Sequence, residues 1–196
     1  MKIENWLEGH WALILGSSSG FGAEVSIKLS EYGVNIIGIH LDRKGTMKNV
    51  EDILSKIKQN GVKTEFFNIN AADESKRKET LDYALELIGN SDKKIKILLH
   101  SLAFGSLKPY VSNDSDKNVT QKNMDMTLDV MANSLVYWTQ DVYSRNLFSE
   151  KARIYAMTSA GSRKIWPTYG PVSAAKCALE SHIRQLAVEF APSGIT

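Results

Sequence analysis

Residues 11–22 read WALILGSSSGFG, and this stretch decides the fold. Trp11 to Leu15 is a fully apolar run, the pattern of a strand buried on both faces. It is cut off by a glycine cluster. Beyond the cluster, Ala23, Val25, Ile27 and Leu29 precede a stop at Tyr32-Gly33, so the segment reads as strand, tight turn and helix. Gly16 permits the turn, Gly20 lets backbone N–H groups approach a pyrophosphate, and Gly22 lets the helix lie close on the sheet. Ser18, Ser19 and Phe21 share the turn, whose unpaired amides face an anion at the helix N-terminus.

Outward from this turn, the chain alternates short apolar runs with helical spacing. Ile36 to His40 forms the second strand, and Met47, Val50, Leu54 and Ile57 mark a helix ended by Gly61. Thr64 to Ile69 is the third strand. Asp73 caps the next helix, with Leu81, Ala84, Leu85 and Ile88 on one face, and Ile95 to Leu99 is the fourth strand. A polar loop over 105–123 leads to a helix from about Asn123 to Asn146. Arg153 to Met157 is the fifth strand. The last helix carries Ala175, Leu179, Ile183, Leu186 and Phe190, and Pro192 and Gly194 end it. The order βαβαβαβαβα predicts an α/β, Rossmann-type doubly wound parallel sheet in a single domain over 1–196. Such a sheet uses six strands, and the sequence stops where the sixth is due.

The 196 residues are 43% hydrophobic and 23% charged, enough for one core. The net charge of +2 is spread along the chain, which argues against nucleic acid or an anionic membrane as partner. A single cysteine, Cys177, excludes an internal disulfide and a zinc module, and it reads as a small buried hydrophobe. No metal site is expected. No apolar stretch reaches the roughly 20 residues that span a bilayer, so a soluble, cytoplasmic protein is expected. Trp6, Trp11, Trp138 and Trp166 read as packing or interface residues.

The spacing Gly16-x-x-x-Gly20-x-Gly22 resembles the short-chain dehydrogenase/reductase family, and the resemblance covers nearly the whole chain. His100-Ser101-Leu102-Ala103 stands where that family has Asn-Asn-Ala-Gly, and the variant is similar to its enoyl-acyl-carrier-protein reductase branch. His100 itself reads as structural. Asn133 falls at the family's helix asparagine. Four residues before Lys176 stands Val172, which has no proton to give, but seven before it stands Tyr169, the spacing of the enoyl reductases. Among the hydroxyls after strand five, Thr158 matches the family's serine by its distance to Gly161. Ser159 lies ten before Tyr169, where many enoyl reductases have a second tyrosine.

The resemblance implies an NAD(P)H-dependent oxidoreductase acting on an enoyl thioester, free or carried by an acyl carrier. Hydride reaching the β-carbon leaves negative charge on the thioester oxygen, which a phenol can stabilise. A free phenol, with pKa about 10, needs a nearby cation to act as an acid at neutral pH, and Lys176 supplies one. The same lysine holds ribose hydroxyls in the family. Ser101 and Ala103 are expected along the cofactor, and Asn70 near the adenine. At the end of strand two, Asp42 favours NAD, while Arg43 and His40, in the acid's usual register, favour NADP. The balance leans slightly to NADPH over NADH. Carbonyl reduction by the same tyrosine and lysine is the alternative. A non-catalytic dinucleotide-binding protein is a further one, because Leu15 replaces the usual threonine. The family forms homodimers or homotetramers through the helices that here contain Asn133 and Lys176. On the same comparison the chain is expected to be C-terminally incomplete.

Overall fold

The computed structural model describes residues 6–196; the first five residues of the single domain expected over 1–196 lie outside it. Five strands, β1 (Trp11–Leu15), β2 (Asn35–His40), β3 (Thr64–Asn68), β4 (Ile95–His100) and β5 (Phe148–Ala156), form a parallel sheet. Their order is β3-β2-β1-β4-β5. The helices are α1 (Gly20–Glu31), α2 (Met47–Gln59), α3 (Glu74–Ile88), α4 (Gln121–Leu128), α5 (Ser134–Ser144) and α6 (Gly170–Phe190).

Alternation along β1 explains why the run is apolar throughout. Trp11, Leu13 and Leu15 join the core under α3, α5 and α6, while Ala12 and Ile14 join the core under α1 and α2. Both faces are buried, so no polar residue fits between. The register places Leu15 opposite both Ile39 and His100, and His100 opposite Ala156. The C-terminal ends of the central strands are therefore level, and the segments that leave them converge. The connections from β1 and from β4 diverge to opposite sides of the sheet, which opens a crevice at that edge.

Several boundaries differ from the sequence expectation. The fifth strand starts at Phe148, because a bulge separates the pairs Ile95–Phe148 and Ile97–Arg153 and absorbs the polar residues between. The helix expected from about 123 to 146 runs from Gln121 to Ser144 and is broken by a π-turn at Asp129–Asn133. Leu85 is exposed rather than on the buried face with Leu81, Ala84 and Ile88. Cys177 is exposed, not buried, with Sγ 3.2 Å from the Ser162 carbonyl oxygen. Trp11 and Trp138 are buried, whereas Trp6 and Trp166 are exposed. Thr196 adds a rung to the free edge of β5: its N–H donates to the Ala152 carbonyl at 3.1 Å, and the Ile154 N–H donates to its carbonyl at 2.8 Å. No helix among the described residues is long and apolar enough to cross a membrane.

Candidate active site

The glycine turn is built by close approach. A Cβ on Gly22 would collide with the Gly16 carbonyl oxygen, and one on Gly16 would collide with the Ser101 carbonyl, so turn, helix and the loop after β4 pack backbone to backbone. Ser19 is the N-cap of α1 but makes no side-chain cap bond, and the first turn holds no acid. The leading amides are left for an outside acceptor, and the helix dipole favours an anion there.

These amides open into a cleft of about 300 Å³ across the crevice. Gly16, Ser18, Ser19, Gly20 and Phe21 line one side, His40 and Asn70 a second, and Ser101 and Ala103 a third. Apolar residues the sequence does not single out also line it, among them Leu102, Phe104 and Val130. They are the apolar residues bordering Ser101 and the helix of Asn133, and their position was the available signal. Gly22, Asp42, Arg43 and Lys176 are outside the lining. Gly22 acts through the backbone contact just described. Asp42 sits beside the cleft, where its carboxylate lies 2.9 Å from Nδ1 of the buried His40. Burial would raise its pKa, but hydrogen bonds from Ser18, Thr46 and His40 outweigh this and hold it below the usual carboxylate value. Asp42 is thereby tied to the glycine turn and to β2 together. Arg43 is exposed and forms no ion pair among the described residues. The uncapped turn, the glycine contacts and the polar residues at the β2 and β3 ends fit a dinucleotide.

Tyr169, which does not line this cleft, is the N-cap residue of α6. Seven residues are nearly two helical turns, so Lys176 lies on the same face, about 10 Å along the axis, and its side chain leans back towards the N-terminus. Only 5% of Lys176 is exposed, and burial lowers its pKa. Its Nζ donates to the Met157 carbonyl at 2.7 Å and the Leu102 carbonyl at 3.3 Å. An ammonium has three N–H donors, so one is left. The Tyr169 ring meets Trp166 edge to face, with centroids 5.2 Å apart. The Tyr169 hydroxyl lies 3.4 Å from Ser159 Oγ.

Of the two hydroxyls considered after strand five, Ser159 is therefore the one at Tyr169. Thr158 is not: its Oγ1 donates to Glu180 at 2.6 Å on the outer side. Asn133 sits on the π-turn, and its Oδ1 is 3.3 Å from His182 Nε2 rather than bonded to Lys176 or Tyr169. The extra residue in the π-turn rotates it away from the direction that uniform helical spacing predicts.

Comparison with known proteins identifies the family. Residues 16–196 match the family described as Enoyl-(Acyl carrier protein) reductase. The chain belongs to the short-chain dehydrogenase/reductase family of NAD(P)-dependent oxidoreductases. It is 26% identical over 196 residues to an NADPH-dependent aldehyde reductase-like protein, chloroplastic, of Arabidopsis thaliana, covering 97% of this chain and 70% of that one. It is 29% identical over 116 residues to an NADH enoyl-[acyl-carrier-protein] reductase of Enterococcus faecalis, covering 59% of this chain and 45% of that one. The fold matches a short-chain dehydrogenase of Burkholderia cenocepacia solved with NADP, with a TM-score of 0.80 at 21% identity over 97% of this chain and 72% of that one.

Proposed function

We propose that this protein reduces the C=C bond of an enoyl thioester, free or borne by an acyl carrier, with NADPH preferred over NADH. The observation that carries the reading is Tyr169 at the N-terminus of α6 with Lys176 seven residues on, along the same face of that helix, and Lys176 bonded to the Leu102 carbonyl beside the cleft. The description of the matching family supports it.

A bound reduced dinucleotide supplies the hydride. The chain's own residues do the rest. Tyr169 donates a hydrogen bond, and then its proton, to the thioester oxygen, where negative charge collects; the resulting enol becomes the saturated thioester when Cα takes up a proton and the oxygen loses one. The buried Lys176 ammonium favours the phenolate left behind and offers its third N–H to ribose hydroxyls. The turn from Gly16 to Gly22 holds the pyrophosphate, Asn70 the adenine side, and Ser101 and Ala103 the middle of the cofactor. Arg43, exposed and without an ion pair among the described residues, is available to a 2′-phosphate, while Asp42 is engaged by His40; this favours NADPH. Asn133 orients the helix that borders the site.

Carbonyl reduction is the second reading, and Ser159 favours it: two hydroxyls 3.4 Å apart suit a single carbonyl oxygen. The aldehyde reductase-like relative points the same way.

Crotonyl thioester and a simple ketone, each with NADPH or NADH, separate the readings by nicotinamide absorbance. Thioester-dependent oxidation, strongly reduced in Tyr169→Phe, is expected. Turnover of the ketone alone would move the assignment to carbonyl reduction. Tight dinucleotide binding with no turnover of either would make the protein a binding domain.

A further inference from the structure

His100 ends β4 with none of its surface exposed, and no catalytic step proposed above uses it. Its Nε2 is 2.9 Å from Ser134 Oγ. Ser134 follows the π-turn directly. There its backbone N–H reaches back five residues to the Asp129 carbonyl, so the Val130 carbonyl loses the amide a regular helix would give it. The Ser134 hydroxyl fills that place, donating to Val130 O at 2.8 Å. A hydroxyl has one proton, and with it spent on Val130 the oxygen can only accept from the ring. This pairing favours the Nε2–H tautomer of the imidazole. Its Nδ1 has no partner among the described residues. Burial, with the positive charge of Lys176 adding to it, pushes the His100 pKa down to about 3, so the ring stays neutral.

We propose that His100 is a positioning residue. Its Nε2–H holds Ser134 to the carbonyl freed by the π-turn, and so fixes the helix of Asn133 in register against the helix that carries Tyr169 and Lys176. The contact between the two helices lies at this turn: Asn133 meets His182, and a Cβ on Gly105 would overlap both Met131 of the turn and Val172 of α6. A slip of the π-turn would thus move the wall of the site without touching the cofactor turn. The catalytic consequence rests on the reductase reading above; the helix coupling does not.

The test uses the full chain with His100→Gln, His100→Leu and Ser134→Ala. Glutamine can place an amide N–H near the ring Nε2, whereas leucine cannot. Nitrogen NMR should show the native ring as the neutral Nε2–H tautomer. Amide exchange over residues 130–135 should rise about tenfold in His100→Leu and Ser134→Ala, no further in their combination, and return towards native in His100→Gln. In the same variants kcat should fall about tenfold to a hundredfold and dinucleotide Kd should rise by less than that, because Val130 is the one π-turn residue in the cleft lining, and both should recover with glutamine. An Nδ1–H ring, unchanged exchange in His100→Leu, or equal losses with glutamine and leucine would each overturn the proposal. Native protein inert to thioester and ketone, with the exchange pattern intact, would overturn the reductase reading and leave the His100 coupling standing.

Discussion

The hydroxyl of Tyr169 lies 3.4 Å from Oγ of Ser159, whereas the neighbouring Thr158 turns its hydroxyl outwards to Glu180 at 2.6 Å. Adjacent residues at a strand end leave on opposite sides of the sheet, so two hydroxyls one residue apart cannot both serve one substrate oxygen. Tyr169→Phe should lower kcat by about 10² to 10⁴. Ser159→Ala should cost roughly a hundredfold. Thr158→Ala should leave kcat within about twofold, with at most a small stability loss from the exposed Glu180 contact. Steady-state kinetics on the three variants checks the order; a Thr158 effect as large as that of Ser159 would reverse the assignment.

The glycine turn separates folding from binding. Gly22→Ala puts a methyl into the Gly16 carbonyl and should destabilise the protein by roughly 3 kcal/mol or more, because neither backbone can yield. Gly20, at φ 52°, has nothing within 4 Å of a Cβ. Gly20→Ala should cost only about 1 kcal/mol for the left-handed backbone. The methyl would enter space that the pyrophosphate needs, so dinucleotide Kd should rise about tenfold or more. Urea unfolding and dinucleotide titration, run side by side, distinguish the two glycines.

What the sequence discloses follows what each pattern encodes. The central strands are legible because a strand covered on both faces is nearly all apolar, as β1 is throughout, whereas the edge strand β3 is half-buried and mixes Thr64, Glu65 and Asn68 with its two phenylalanines. The fifth was shortened because Ser149, Glu150 and Lys151 are polar and sit in a bulge, which alternation does not describe. Residue type alone puts Cys177 inside, but it is exposed. Helical geometry had the answer, since two residues beyond the buried Ala175 turns it by about 200°, to the outer face. The Tyr169 and Lys176 pair rests on its resemblance to the enoyl-reductase spacing, and seven residues also put both on one face of α6. Asn133 was not oriented, because one added residue in a helix leaves no mark on a pattern of threes and fours.

Acid should expose the cost of burying His100. Its pKa is about 3 in the fold and 6.5 as the ordinary value, so the unfolded chain binds the extra proton between these limits. Stability therefore rises with pH from about 3 to 6.5, and is lost progressively as pH falls through that window. His100→Gln has no proton to gain and should flatten this part of the profile. Melting temperatures of the native chain and the variant from pH 4 to 7 test it. Parallel curves would show that other groups, such as the buried His10, set the acid limb.

Nucleotide choice should turn on Asp42 and Arg43 in opposite directions. The Asp42 carboxylate is held ionised between His40 and the glycine turn, with 13% of its side chain exposed, so its charge bears on whatever occupies the 2′ position. A second negative charge within a few ångströms costs on the order of 1 to 4 kcal/mol at intermediate polarity. Asp42→Asn should therefore raise affinity for NADPH relative to NADH by about tenfold or more, whichever the native protein prefers. Removing Arg43, which is exposed and has no carboxylate partner among the described residues, should weaken NADPH several-fold and leave NADH nearly unchanged. Competition between 2′,5′-ADP and 5′-AMP in fluorescence titrations reads both effects without turnover. Equal responses of the two nucleotides to Asp42→Asn would place the 2′ group away from this end of β2.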